Sequence, residues 1–269
     1  MMVRNPNIHL KTKFVRGFTL IEMSIVLVII GLIVGGILVG QELVAGAKIR
    51  AQVSQITQIA QALNTFKGKY DKLPGDWYTG TTAFGLSGGN ATGQRDDNVI
   101  DDMNPVNAYM HSIGYEGVYF FAHLVQAKLI PATYMAGVDT AGTACWIDSS
   151  MGNAGYYSMA LNPQYGMMAT TWQGSTWVWL GLNDCAANTV NVAGIIPVMT
   201  PSQAYAIDIK MDDGIPGTGT VLAFKYGSFS QQLDTPDVTA GQCVTTAAAT
   251  AYNITNNTLQ CRLLIKLQR

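Results

Sequence analysis

The chain has 269 residues, of which 48% are hydrophobic and 12% charged, and a formal net charge of −1. That length buries a sizeable core, and that composition excludes both a disordered chain and a collagen-like repeat. Four of the 16 basic residues and none of the 17 acidic ones fall within residues 1–17, so the near-neutral total hides a basic leader ahead of an acidic remainder.

Behind Arg4, Lys11, Lys13 and Arg16 comes an uncharged run from Met23 to Gly40. With Phe18–Ile21 in front, the apolar stretch reaches the roughly 20 residues that a helix needs to cross a bilayer. The basic leader places the N-terminus on the cytoplasmic side and everything after Gly40 outside. Three readings fit this layout: a secretory signal peptide cut near Ala45-Gly46-Ala47, a plain signal anchor, and a precursor cut before the apolar run.

Glu22 separates them, because an acid at the start of an apolar span is costly and marks function. Residues 16–22 read Arg-Gly-Phe-Thr-Leu-Ile-Glu and resemble the recognition sequence of type IV prepilins and type II secretion pseudopilins. The resemblance implies cleavage between Gly17 and Phe18 by a prepilin peptidase and methylation of the new N-terminus at Phe18. It also implies a role for Glu22 in filament assembly, where it neutralises the buried Phe18 amine of a neighbouring subunit. Gly31/Gly35 and Gly36/Gly40 have the small-xxx-small spacing of close helix packing, though glycine is also common in membrane helices. Many type IV pilins carry a helix-breaking proline in this stretch; here there is none between Pro6 and Pro74.

The helical pattern continues with Ile49, Val53, Ile56, Ala60, Leu63 and Tyr70 as an apolar stripe, and Gln52, Gln55, Gln58 and Gln61 opposite. Pro74 ends it, which predicts one helix from Phe18 to about Lys72. The segment Phe66–Asp76 is similar to the end of this helix in large pilin-like proteins. Residues 77–110 lack periodicity and read as a long irregular connection. Glu116–Ala127 reads as a short helix, Thr176–Leu182 as a strand, and Thr220–Tyr226 and Leu259–Leu267 as further strands. Thr200-Pro201-Ser202-Gln203 has the form of a helix start, with Gly214 as its stop; a strand alternating through Tyr205, Ile207, Ile209 and Met211 competes with it.

Cys145, Cys185, Cys243 and Cys261 all follow the apolar span, and an even number on the outer side predicts two disulfides among three connectivities. The favoured pairing is Cys145–Cys185 with Cys243–Cys261, the second resembling the disulfide-closed C-terminal loop of many pilins. No CxxC spacing suggests zinc, His111 and His123 are too far apart for a helical metal pair, and no GxSxG or P-loop is present. Two acidic clusters, Asp96–Asp102 and Asp208 with Asp212 and Asp213, offer oxygen ligands of the kind calcium takes, and major pseudopilins carry a calcium loop in the head. Neither has EF-hand spacing, and solvated turns with carboxylates capping backbone groups are the ordinary reading of both; of the two, the second is the better calcium candidate. Trp172, Trp177 and Trp179 fit a core, with a binding surface as the alternative. Between Arg95 and Lys210 the one basic residue is Lys128, which disfavours a nucleic-acid partner.

The resemblance thus implies an α+β, type IV pilin-like chain: a leader over 1–17, a long helix over 18–73, and a globular head with an antiparallel sheet over 74–269. Residues 18–40 would be the transmembrane and filament-core part of the helix, with 41–73 packed on the head. It implies a structural filament subunit rather than an enzyme, and no cofactor unless calcium binds at Asp208, Asp212 and Asp213. The implied partners are like or related subunits, a prepilin peptidase, an inner-membrane assembly platform and an ATPase. The precursor would sit in the bacterial inner membrane and the filament in the periplasm or outside the cell. A membrane-anchored adhesion module is the alternative, and pilus, secretion pseudopilus and DNA-uptake fibre all stay open.

Overall fold

The structure is a computed structural model that describes residues 17–77, 79, 83–85, 96–100, 116–132, 157–182, 197–224, 242–246 and 248–268. The chain divides into two compact units, one ending at Gly46 and one beginning at Ala47. Helix α1, Leu20–Tyr70, starts in the first and ends in the second. It stops two residues short of the predicted end, because Asp71 turns to a left-handed φ of 53° three residues ahead of Pro74. Lys67 and Lys69 lie in its last turn, where cations suit the carbonyl end of the helix.

In the first unit no residue from Phe18 to Val39 is buried, and Leu20 is 92% exposed. By length and composition α1 is able to cross a membrane. In the second unit the buried face of α1 is Ile49, Gln52, Ile56, Ile59, Ala62, Leu63 and Phe66. This corrects the predicted stripe by part of a turn. Val53, Ala60 and Tyr70 lie at its half-buried border, and Gln52 belongs to the packed face.

The reason for a buried glutamine is the main chain beside it. Gln52 accepts the Leu161 N–H through Oε1 at 2.9 Å and donates through Nε2 to Gln55 Oε1 at 3.1 Å. Gln55 accepts the Ala160 N–H at 2.9 Å and donates to the Ser158 carbonyl at 2.8 Å. The two amides thus satisfy backbone groups that burial would otherwise leave unpaired.

Helix α2, Glu116–Gln126, puts Phe120, Phe121 and Leu124 into the same core. Strands β1 (Tyr157–Ser158), β2 (Gly166–Trp172), β3 (Ser175–Leu182), β4 (Val221–Phe224) and β5 (Arg262–Lys266) form one antiparallel sheet in the order β1-β2-β3-β5-β4. The β2–β3 hairpin turns on Gln173 (φ 49°) and Gly174 (φ 70°), a pair of left-handed residues that suits the strand twist. Val178, Leu180, Leu263, Ile265, Val221 and Ala223 join the residues of α1 in the core. Trp177, Trp179, Leu222 and Leu264 alternate with them and are also buried, so these two tryptophans are core residues, while Trp172 is half-buried.

Helix α3, Pro201–Met211, is a helix and not the competing strand. Thr200 accepts the Gln203 N–H and Gln203 accepts the Thr200 N–H, a reciprocal cap with Pro201 in the first turn. Its backbone ends at Asp212, two residues before Gly214, whose φ of 77° carries the chain into the following turn. Cys243 and Cys261 form a disulfide with Cα atoms 5.0 Å apart, as expected. Cys145 and Cys185 lie outside the described residues.

Candidate functional site

Gly17, Phe18 and Thr19 precede the first helical residue, so the Gly17–Phe18 peptide bond lies outside the hydrogen-bond ladder of α1. Phe18 is 79% exposed. Thr19 caps the helix: its Oγ1 accepts the Glu22 N–H at 3.3 Å. Glu22 Oε2 in return accepts the Thr19 N–H at 2.7 Å and the Thr19 hydroxyl at 2.8 Å. This is a capping box, with Thr19 at the cap and Glu22 three residues on. Sequence reasoning singled out Glu22 and missed Thr19, although Thr-x-x-Glu ahead of an apolar run was the signal. Two residues later the Ser24 hydroxyl donates to the Ile21 carbonyl at 2.9 Å, so that it too is satisfied within the helix.

A non-helical Gly-Phe junction and an acid in the first turn of an exposed apolar helix fit a membrane-anchored precursor. The family model for the prokaryotic N-terminal methylation motif matches residues 12–38. The chain carries this prepilin-type motif. No curated protein and no solved structure matches the chain. With its long apolar helix and five-stranded antiparallel sheet, the fold of this chain is α+β and pilin-like.

The second candidate is the acidic turn after α3. Asp208, Asp212 and Asp213 each present an oxygen within 4.8 Å of the others. Their donors are already in place. Asp208 accepts the Tyr252 hydroxyl at 2.8 Å and the Gly214 N–H at 3.1 Å. Asp213 accepts the Ile215 N–H at 2.8 Å and the Thr218 hydroxyl at 2.7 Å. Asp212 Oδ2 accepts the N–H groups of Thr220 and Val221. A Cβ on Gly219, which has a φ of 79°, would overlap that carboxylate. Burial pushes Asp208 up to about 6 against the pull of its two hydrogen bonds, and raises Tyr252 as well. The arrangement is that of a hydrogen-bonded turn, with each carboxylate committed to local donors.

Of the first acidic cluster, Asp96 and Asp97 lie within the described residues. Asp76 is buried and accepts the N–H groups of Asp97 at 3.1 Å and Asn98 at 2.7 Å. Backbone donors thus converge on a carboxylate, and burial raises Asp76 above the usual range. Asp96 pairs with Lys72 at 3.5 Å, while Asp101 and Asp102 lie outside the described residues.

His123, on α2, is fully buried and stacks on Phe66 of α1 at 6.1 Å with an interplanar angle of 3°. Its Nδ1 accepts the Gly75 N–H at 3.0 Å, which puts the proton of the neutral ring on Nε2. Tyr70, Trp77 and Phe84 complete an aromatic cluster around Phe66. Burial lowers the imidazole to about 3. His123 therefore fastens the end of α1 to α2 as a neutral ring, with no metal-binding geometry among the described residues. His111 lies outside them.

Proposed function

We propose that this chain is a structural subunit of a type IV pilus-like or type II secretion pseudopilus filament. The observation that carries this reading is the methylation motif at 12–38, opening a helix whose apolar first half is exposed on all sides. A surface so apolar needs lipid or a bundle of similar helices around it. In this reading a prepilin peptidase cuts after Gly17 and methylates Phe18. The helix then leaves the bilayer, through an assembly platform, to pack with like or related subunits. Cleavage turns the Phe18 nitrogen into an amine that carries charge into an apolar bundle, and Glu22 of a neighbour neutralises it. The pair acts as a register device between subunits. The role is structural rather than catalytic, and the head is carried outside the inner membrane. The turn carboxylates Asp208, Asp212 and Asp213 serve the head's own fold, with no cofactor required.

The test is the mature N-terminus, read by intact mass and N-terminal peptide mass spectrometry in a host with a prepilin peptidase. A chain beginning at Phe18 is expected, and loss of filaments in Glu22→Ala should accompany it. A start near Lys48 would remove the helix on which assembly depends and would refute the reading. Glu22→Ala subunits that reach the surface and still form filaments would refute the pairing.

A further inference from the structure

We infer that Thr19 is a positioning residue for assembly: it divides the carboxylate of Glu22, holding Oε2 in its own cap and leaving Oε1 for the amine of the next subunit. The inference rests on the proposed pairing between Glu22 and a neighbouring Phe18 amine. Both Thr19 donors converge on Oε2, the N–H at 2.7 Å and the hydroxyl at 2.8 Å. Oε1 accepts no bond among the described residues. The same hydroxyl accepts the Glu22 N–H at 3.3 Å, so threonine and glutamate fix each other's side chains.

Two consequences follow for a subunit waiting in the membrane. A lone carboxylate at the edge of the hydrocarbon is costly, and two donors from its own chain lower that cost before any partner arrives. The carboxylate is also held in one rotamer, so the incoming amine meets an oriented acceptor rather than a mobile one. An ammonium has three donors and needs only one of them for Oε1, so pairing adds to the cap instead of breaking it. Valine matches the shape of threonine but lacks both functions of the hydroxyl, whereas serine keeps them.

The experiment compares wild type, Thr19→Val, Thr19→Ser, Glu22→Ala and the Thr19→Val/Glu22→Ala double variant as full chains in a host with the peptidase and assembly machinery. Intact mass first checks that each starts at Phe18, and sheared filament yield is then measured. Thr19→Val is expected to lower the yield by about tenfold, the size of one N-cap interaction, with Thr19→Ser within about twofold of wild type. The double variant should assemble no worse than Glu22→Ala, because Thr19 acts through Glu22. Wild-type yield in Thr19→Val, or a Thr19→Ser yield as low as that of Thr19→Val, overturns the inference and leaves the pairing intact. Wild-type yield in Glu22→Ala overturns the pairing itself. If Thr19→Val is not processed, glutamate-edited infrared spectra of the full-length precursor in detergent micelles decide. The chain has three glutamates, Glu22, Glu42 and Glu116, so subtraction of the Glu22→Ala spectrum isolates the band. A Glu22 carboxylate band that shifts in Thr19→Val and not in Thr19→Ser is expected; identical bands in all three proteins overturn the inference.

Discussion

His123 should make the stability of the head respond to acid in a way that one substitution reverses. Its folded value of about 3 lies far below its ordinary 6.5. As pH falls below 6.5 the unfolded chain therefore takes up a proton that the folded chain refuses, and stability is lost. The loss from this group is about 2 kcal/mol by pH 5 and about 4 kcal/mol by pH 3. Asp208 has the opposite sign, since its folded value of about 6 lies above its ordinary 3.8. The folded chain binds that proton first, which returns about 1 kcal/mol between pH 6 and pH 5. Wild type should therefore change little between pH 8 and pH 5. In His123→Asn the amide oxygen stands where Nδ1 accepts from Gly75 but cannot titrate. That variant is expected to be less stable at pH 8 by about 2–3 kcal/mol, because the stack on Phe66 leaves a cavity. It should then gain stability on going to pH 5, so that the two pH responses differ by about 2 kcal/mol. Urea unfolding of the full chain in detergent micelles, followed by tryptophan fluorescence at both pH values, measures the difference. Parallel responses in the two proteins, or a His123 proton titrating near 6.5 by NMR, would refute the reasoning.

Gln52→Leu should destabilise the head by about 1–3 kcal/mol in the same urea assay, because the buried Leu161 N–H loses its acceptor; Gln55→Ala, half-buried, should cost less. Gly75→Ala is expected to cost about 3 kcal/mol or more. The residue has a φ of 93°, and its Cβ would lie 2.3 Å from the Glu116 carbonyl oxygen. Replacing both Cys243 and Cys261 by serine should lower stability by about 3 kcal/mol, given a sequence separation of 18, read as a fall in urea midpoint relative to wild type. Calcium added at millimolar concentration should leave the thermal midpoint unchanged. A rise of several degrees that Asp212→Asn abolishes would give the acidic turn to the ion.

The elements with a strong local signal were readable from sequence, and the reasons for the rest are physical. The apolar span of α1 and the cap of α3 are encoded in short local stretches: the uncharged run from Met23 to Gly40 in one case, Thr200, Pro201 and Gln203 in the other. Strand β3 was found because Trp and Val fill it, but β2, reading Gly-Met-Met-Ala-Thr-Thr-Trp, gave no alternation, since both sides of the sheet are buried there. Gln52 was assigned to the wrong face because hydropathy cannot register a polar side chain whose partner is a main-chain amide 109 positions away. At the site, Glu22 stood out as an acid among apolar residues, whereas the role of Thr19 was legible only as a Thr-x-x-Glu capping pattern, which its hydrogen bonds to Glu22 bear out. The acidic clusters showed the converse. Their composition left a cation and a capped turn both open, and the hydrogen bonds show N–H groups gathered around carboxylates.

The glutamine pair on α1 and the carboxylate of Asp212 sit at opposite margins of the same sheet. Beside β1, Gln55 occupies the Ser158 carbonyl and the Ala160 N–H. Beside β4, Asp212 occupies the Val221 N–H, and the Pro216 carbonyl takes that of Ala223 at 2.8 Å. A free strand edge is a template on which another chain can add its own strand. In the filament proposed above, subunits would meet such edges continually, and groups of the same chain occupy these positions in advance. Growth by β-addition between heads would thereby be discouraged, leaving the proposed polymer to form through its helices.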